Sequence, residues 1–240
     1  IRDVAVTGVQ TCALPIYEAW PNISTVFDDS WGTIAKKLGD DAVADLVIET
    51  SEGPSLIPAH PGLDTLDSDL GNIDDARERY TRLEQFLDDY VDPLDYDVVL
   101  IDLPGMTNNV TYNGLWAARH AITPVEMGPF EAEQADALRR DLEKIADNFS
   151  VDIELSLVLP NKVDTRTNLA EEYLSSFETE YSDSIAPDFV PYSQDIRNAA
   201  QRGSTAFDLE DPSTTAQSAR DAYLAAAETL MTRLEEKIHA

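Results

Sequence analysis

The chain has 240 residues, of which 43% are hydrophobic, and its 17 Lys and Arg against 46 Asp and Glu give a formal net charge of -29. That length supports one well-filled core, the single Cys12 excludes a disulfide scaffold, the three scattered histidines (His60, His120, His239) make no metal-ligand pattern, and no apolar run is long enough to span a membrane. Acidity spread along the whole chain, with Lys at only five positions, points to a protein of a high-salt cell; the other reading is an ordinary acidic mesophilic protein, since net charge governs solubility and not fold.

The first stretch, Ile1 to Ile16, reads IRDVAVTGVQTCALPI. Within it Thr7, Gly8, Gln10 and Thr11 interrupt the apolar residues at neither a helical nor a strand period. A secretory signal needs a basic leader and an uninterrupted apolar run, which Arg2 followed by Asp3 does not supply. VTGVQTCALPI resembles the in-frame translation of a short-read sequencing adapter, which makes residues 1–16 a non-native segment and leaves residues 17–240 as a single domain. A disordered natural amino terminus is the alternative.

Helical spacing follows from Asp29 to Leu38, with Asp29 or Ser30 as the cap and Gly39 as the stop. Two short β-rich runs, Asp45 to Thr50 and Ser55 to His60, flank a Gly53-Pro54 turn and read as a hairpin or successive strands. A polar stretch from Pro61 to Asn72 precedes one long amphipathic helix, ARERYTRLEQFLDDYV, marked by Tyr80, Leu83, Phe86, Leu87 and Tyr90.

From Tyr96 the pattern alternates. The run Val98-Val99-Leu100-Ile101 is apolar on both faces, as in a buried parallel strand. Helices are predicted at Asn109 to Ala118, Glu131 to Asp147, Asn168 to Glu178 and Ser193 to Arg202, separated by strands at His120 to Glu126, Ile153 to Leu159 and Ile185 to Val190. A last helix runs from Ser213 to Lys237. Regular alternation implies an α/β fold with a doubly wound, mostly parallel sheet. Leu138, Leu142, Ile145, Trp31 and Trp116 read as packing residues, the two tryptophans also as dimer contacts.

The chemistry concentrates at VVLIDLPG. Ligands of open α/β sheets sit beyond the carboxyl ends of the strands, so a strand ending in Asp102, with Pro104 and Gly105 turning the chain, delivers a carboxylate to the functional edge. A carboxylate there can hold magnesium, directly or through water, and so position phosphates. A turn aspartate that caps the next helix is the plain structural reading.

The segment from Tyr96-Asp97 through Ile101-Asp102-Leu103-Pro104, Thr111 to Ala118, Pro124-Val125 and Phe130-Glu131 resembles the Walker B region of the ParA/MinD family of deviant Walker ATPases. LVLPNKVDTRTNLAEE resembles that family's late strand and loop, and FVPYSQDIRNAAQRGSTAFDLEDPSTTAQSARDAYLAAAETL resembles its end. The resemblance, over roughly Ser30 to Leu234, implies a P-loop NTPase fold of the ParA-like (SIMIBI) kind and a partitioning ATPase of a halophilic archaeon. It implies ATP and Mg2+ as cofactors and three sets of partners: a second copy in a homodimer, DNA bound without sequence preference, and a ParB-like centromere-binding protein. The location implied is the cytoplasm, away from membranes.

By the same resemblance Asp102 holds Mg2+ through water and positions the attacking water, Pro104 and Gly105 form switch II, and Asn161 and Pro191 hold adenine with Lys162 and Asp164 alongside. Arg197 and Arg202, with Arg166 a more distant candidate, would meet DNA phosphates; as plain structure they are solvated helix arginines. Two departures stand out. The Lys-Gly-Gly-x-Gly-Lys-Thr phosphate loop and the switch I aspartate have no counterpart in the sequence, and both belong upstream of Tyr17. The expectation is therefore a sheet lacking its first strand and phosphate loop, and a chain without ATPase activity. A MinD-like positioning ATPase and a non-catalytic ParA-like interaction protein are the alternatives; the acidic to mixed AAETLMTRLEEKIHA counts against membrane attachment in the first.

Overall fold

A computed structural model describes residues 3–7, 20–39, 42–50, 53–94, 96–105 and 107–238. Its main sheet has four strands, β1 (Asp3–Thr7), β4 (Val99–Leu103), β5 (His120–Val125) and β6 (Glu154–Pro160), arranged in the order β4-β1-β5-β6. All the pairings are parallel, with Asp3 opposite Val99, Val4 opposite both Leu100 and His120, and His120 opposite Glu154. The expected absence of a first strand is thus corrected: Asp3–Thr7 fills the slot between β4 and β5. Asp-Val-Ala-Val-Thr carries two β-branched valines in alternation, and an empty slot would leave two rows of unpaired backbone groups inside the sheet. Residues 8–19, where a phosphate loop would fall, lie outside the described residues, as does Cys12.

Helices cover both faces, the doubly wound arrangement that the alternation implied. On one face α5 (Asn109–Ala118) and α6 (Pro129–Phe149) pack over Leu103 and Ala121, with Trp116, Leu142 and Ile145 buried between them. Beside α6, α7 (Asn168–Glu180) places Phe177 against Val125 and Val158. On the other face α9 (Thr214–Ile238) lays Ala219, Ala222, Ala226, Leu230 and Leu234 over Leu157 and Leu159. The small α9 residues let the helix approach closely; Ala216 and Ala219 have no exposed surface. The short α8 (Gln194–Gln201) precedes α9.

A second cluster fills the amino-terminal part. It is built from a 3-10 turn at Ile23–Phe27, α1 (Trp31–Leu38), α2 (Leu63–Gly71), α3 (Ala76–Tyr80), α4 (Arg82–Phe86) and a π-helical turn at Leu87–Val91. Trp31 is a core residue here, edge-on to Phe86 and Tyr90. Gly39 ends α1 at φ 69°, as its place after the last apolar residue foretold. The hairpin forms with two paired residues per strand, β2 (Ile48–Glu49) and β3 (Ser55–Leu56).

Four expectations change. The polar stretch from Pro61 to Asn72 contains α2, because Leu66 and Leu70, four residues apart, reach the core. The single helix expected from Ala76 is broken at Thr81. The run at Val98–Ile101 is not buried on both faces: Leu100 is 63% exposed, since β4 pairs only with β1 and is an edge strand among the described residues. The strand expected at Ile185–Val190 is reduced to two isolated bridges, Val158 with Ile185 and Val163 with Pro191. Pro187 and Pro191 have no N–H to give a ladder. Arg233 of α9 completes that irregular edge, its guanidinium donating to the carbonyls of Ser156 (2.6 Å), Ser184 (3.0 Å) and Ile185 (3.3 Å).

Candidate functional site

The carboxyl ends of the parallel strands form one edge, and the sequence-predicted residues fall on it in two groups. Asp102 stands near the end of β4 as an exposed side chain, with no hydrogen bond or ion pair among the described residues. Partial desolvation, with no cation nearby to oppose it, pushes its carboxyl above the usual 3.8. Pro104 and Gly105 follow at once and lead to Asn108, whose side chain caps α5 by accepting from the Thr111 amide at 2.8 Å. Asp102 is therefore not the cap of that helix; Asn108 is.

The second group sits at the end of β6. The Asn161 amide donates to the Val125 carbonyl at 2.7 Å, and its side-chain oxygen accepts from the Lys162 amide at 3.0 Å. Lys162 adopts φ 52°, a left-handed turn that L-residues rarely use. Its Nζ lies 2.7 Å from a Glu126 carboxylate oxygen at the end of β5. Val163 pairs with the 190–192 segment: its amide donates to the Val190 carbonyl and its carbonyl accepts from the Tyr192 amide, both at 3.0 Å. Pro191 is thereby held beside the Asn161 turn. Asp164 receives Nε and Nη2 of Arg166 at 2.7 and 2.6 Å, and this pairing lowers its carboxyl to about 2.

The structure thus gathers Asn161, Lys162, Asp164 and Pro191 in one corner and sets Asp102 apart from it. Between β4 and β6 lie β1 and β5, so the two groups are three strand spacings apart, about 14 Å. Glu126, missed in the sequence, belongs with the second group. Its signal was the one used for Asp102, an acidic residue closing an apolar strand.

Arg197 lies exposed on α8 and Arg202 just beyond it, neither paired with a carboxylate among the described residues; Arg197 reaches only the Tyr192 hydroxyl, at 3.4 Å. Arg166 is occupied by Asp164. No grouping of three or more His, Cys, Asp or Glu able to hold a metal occurs among the described residues. Nor is any described helix long and apolar enough to cross a membrane. A cavity of about 520 Å³ lies elsewhere, between the 3-10 turn and α2, with Asp28, Asp69 and Arg82 in its wall and none of the predicted residues.

A parallel sheet with helices on both faces and its polar residues at the carboxyl ends of the strands defines the doubly wound type of α/β fold. Solved structures of that type share it. A substituted McdA of Cyanothece in complex with ATP superposes with a TM-score of 0.68 at 14% identity, covering 93% of this chain and 84% of that one. Cobyrinic acid a,c-diamide synthase from Mycobacterium smegmatis, with bound ADP and magnesium, gives 0.61 at 21% identity, covering 84% and 82%. Residues 18–155, more than half of the chain, match the family described as AAA domain. The chain belongs to that family and is of the ParA/MinD type. The chromosome partitioning protein ParA of Caulobacter vibrioides is 26% identical over 167 residues. That alignment takes in 69% of this chain and 61% of the relative, less than two thirds of the latter's length.

Proposed function

We propose that the chain derives from a ParA-type partitioning ATPase and retains the metal and base ends of its nucleotide site. The observation that carries the reading is the placement of Asp102 and of the Asn161–Pro191 corner on one strand edge, at a separation that a nucleoside triphosphate can bridge. A carboxylate without a protein partner, made more basic by desolvation, suits a hydrated Mg2+ ion. When bound, Mg2+ and the triphosphate supply charge neutralisation and a leaving group.

The remaining roles belong to the chain. Asp102 would hold a hydrated Mg2+ ion and supply a carboxylate to orient water there, while Pro104 and Gly105 would set the path of switch II behind it. Asn161 keeps its Nδ2 donors for the base, because its Oδ1 is already engaged by the Lys162 amide. Pro191 offers an apolar wall to the ring, and Lys162 and Asp164, each held by an opposite charge, frame the turn. The phosphate cradle is the missing part. GVQTCALPI, at 8–16, has no Lys to meet the phosphates.

The parent protein would dimerise over nucleotide, meet DNA phosphates through Arg197 and Arg202, and respond to a ParB-like partner in the cytoplasm of a high-salt cell. A patch of two arginines on a chain of net charge -29 limits DNA contact to that locality and makes it steeply salt-dependent. The test is titration of the 240-residue chain with Mg-ATP, followed residue by residue by NMR. We expect millimolar or weaker binding with shifts at Asn161, Tyr192 and the residues around Asp102, and no hydrolysis. Shifts confined to the cavity by Asp28 and Asp69 would overturn the site; a micromolar Kd would overturn the missing cradle.

A further inference from the structure

The cavity of about 520 Å³ between the 3-10 turn and α2 has a volume that holds whole small ligands, in the range of about 300–1,000 Å³. Part of its wall is apolar, with Phe27, Leu66 and Leu70 buried there and the exposed Trp20 among the lining residues. The charged part sets three carboxylates, Asp28, Asp29 and Asp69, against one cation, Arg82. Arg82 is already engaged by the protein: Nη2 donates to Glu78 at 3.0 Å and Nη1 to Asp29. Asp28 has a structural task as well, since its Oδ1 accepts from the Ser30 amide at 2.7 Å where α1 begins. Hydrogen bonds from Ser30 hold that carboxyl below its usual 3.8. Asp69 has no such task. It makes no side-chain hydrogen bond or ion pair among the described residues. It also stands in the last turn of α2, where no basic residue offsets the negative end of the helix dipole. An anion there is disfavoured by itself and favoured once a cation meets it.

We propose that this cavity binds an aliphatic di- or polyamine, one ammonium group on Asp69, the methylene stem along the apolar wall and a further ammonium group at Asp28. The carboxylates do not converge as metal ligands do, for no such grouping occurs among the described residues. A flexible chain of ammonium groups reaches them in turn, and the Trp20 ring adds a cation–π attraction. Each feature rejects a different competitor. The apolar wall gives nothing to a hydrated metal ion, the carboxylates repel nucleotides and other anions, and a neutral diol makes no charge-assisted hydrogen bond. A net charge of -29 gathers cations of every kind around the chain, so it is the cavity and not the attraction that selects an amine. A bound amine needs no nucleotide, and this site therefore stands or falls separately from Asp102 and Asn161.

The test is isothermal titration calorimetry of the chain with spermidine, in about 0.15 M salt to screen the surface field. Spermidine should bind in a single saturable step that an equal concentration of Mg2+ does not displace, and 1,4-butanediol should give no heat. Asp69→Asn should weaken spermidine binding at least about ten-fold, a difference of about 1.4 kcal/mol. Trp20→Leu should weaken it by about three-fold, the loss of an exposed cation–π contact. Glu228→Gln, the same change of charge at an exposed position of α9, should stay within a small factor of wild type. If Asp69→Asn loses its helical circular dichroism, Thr65→Trp, which fills the cavity from an exposed position of α2, takes its place in the comparison. Absence of spermidine binding, equal weakening by the cavity variant and Glu228→Gln, or displacement by Mg2+ would each overturn the proposal.

Discussion

Helix α6 and the stretch from Ala76 to Val91 have the same apolar periodicity, yet α6 runs unbroken for 21 residues while the other divides into α3, α4 and a π-helical turn. The cause is one side chain from a third element. An unbroken helix would join the Leu83 amide to the Arg79 carbonyl. Instead Asn113 of α5 stands in that gap, its Oδ1 accepting from Leu83 at 3.3 Å and its Nδ2 donating to Arg79 at 2.9 Å and to Asn109 at 2.9 Å. Asn113 is wholly buried, and its amide takes the place of the missing helical bond. Helix α6 meets no such intruder; it lies along a continuous strand face. Periodicity therefore reports which face is buried, and it is silent on whether the backbone along that face is continuous.

The most severe test of this contrast is Asn113→Ala. It strips buried partners from Leu83 and Arg79 and should cost about 2–4 kcal/mol, read from chemical denaturation. Unchanged stability would mean that the two segments heal into one helix, and the contrast with α6 would rest on something other than Asn113. Next is Gly114→Ala, one residue along α5. A Cβ there would come within 2.4 Å of Leu103 Cδ2, and since α5 is the joint between the two regions we expect a loss of about 1–3 kcal/mol. A neutral result would show that α5 can shift on β4 without disturbing the Asn113 bridge.

Two smaller effects probe the sheet region alone. His120, at the start of β5, has its pKa lowered chiefly by burial, against the opposing pull of Glu154 and Asp152, with Lys237 adding to the lowering and Ser156 at 3.0 Å from Nδ1. The unfolded chain then takes up the proton first, so stability is full well above pH 6.5 and falls as pH drops through that value toward the folded pKa. His120→Gln should flatten this part of the melting-temperature profile; an unchanged profile would assign the slope to another group. Asp102→Asn should raise the melting temperature by about 1–3 °C at neutral pH, since a raised carboxyl pKa marks a charge that the fold disfavours. The gain should vanish in acid, where Asp102 is protonated in both states.

The carboxy-terminal region was legible because each helix there packs on a sheet, so burial and element coincide. Helix α5 begins and ends where its spacing places it, and the end of β5 shifts by one residue, at Glu126. In the amino-terminal region the deciding contacts are polar and distant. Asn113 is 30 residues from Leu83, and Asp67 accepts from the Asn109 amide, 42 residues on, at 2.7 Å. No local pattern encodes such pairs. The site divides the same way. The place of Asp102 at a strand end was readable, whereas the Glu126–Lys162 pair depends on β5 and β6 being neighbours, which only the folded sheet decides. The strand at Asp3–Thr7 was illegible for a related reason: its five residues gain their meaning from the partners on either side.

That last strand sets the order in which the sheet can be completed. On the ribosome β1 emerges long before either neighbour, and the whole of residues 8–98 must be made before the first of its partners, Val99, exists. Closing so long a loop costs entropy before any pairing repays it, so folding should be slow for the chain's size and should begin among α5, β5, α6 and β6, whose contacts are local. The strand at the middle of the sheet is then among the last to be seated, and until it is, β4 and β5 present bare edges to one another and to any other unfinished chain nearby.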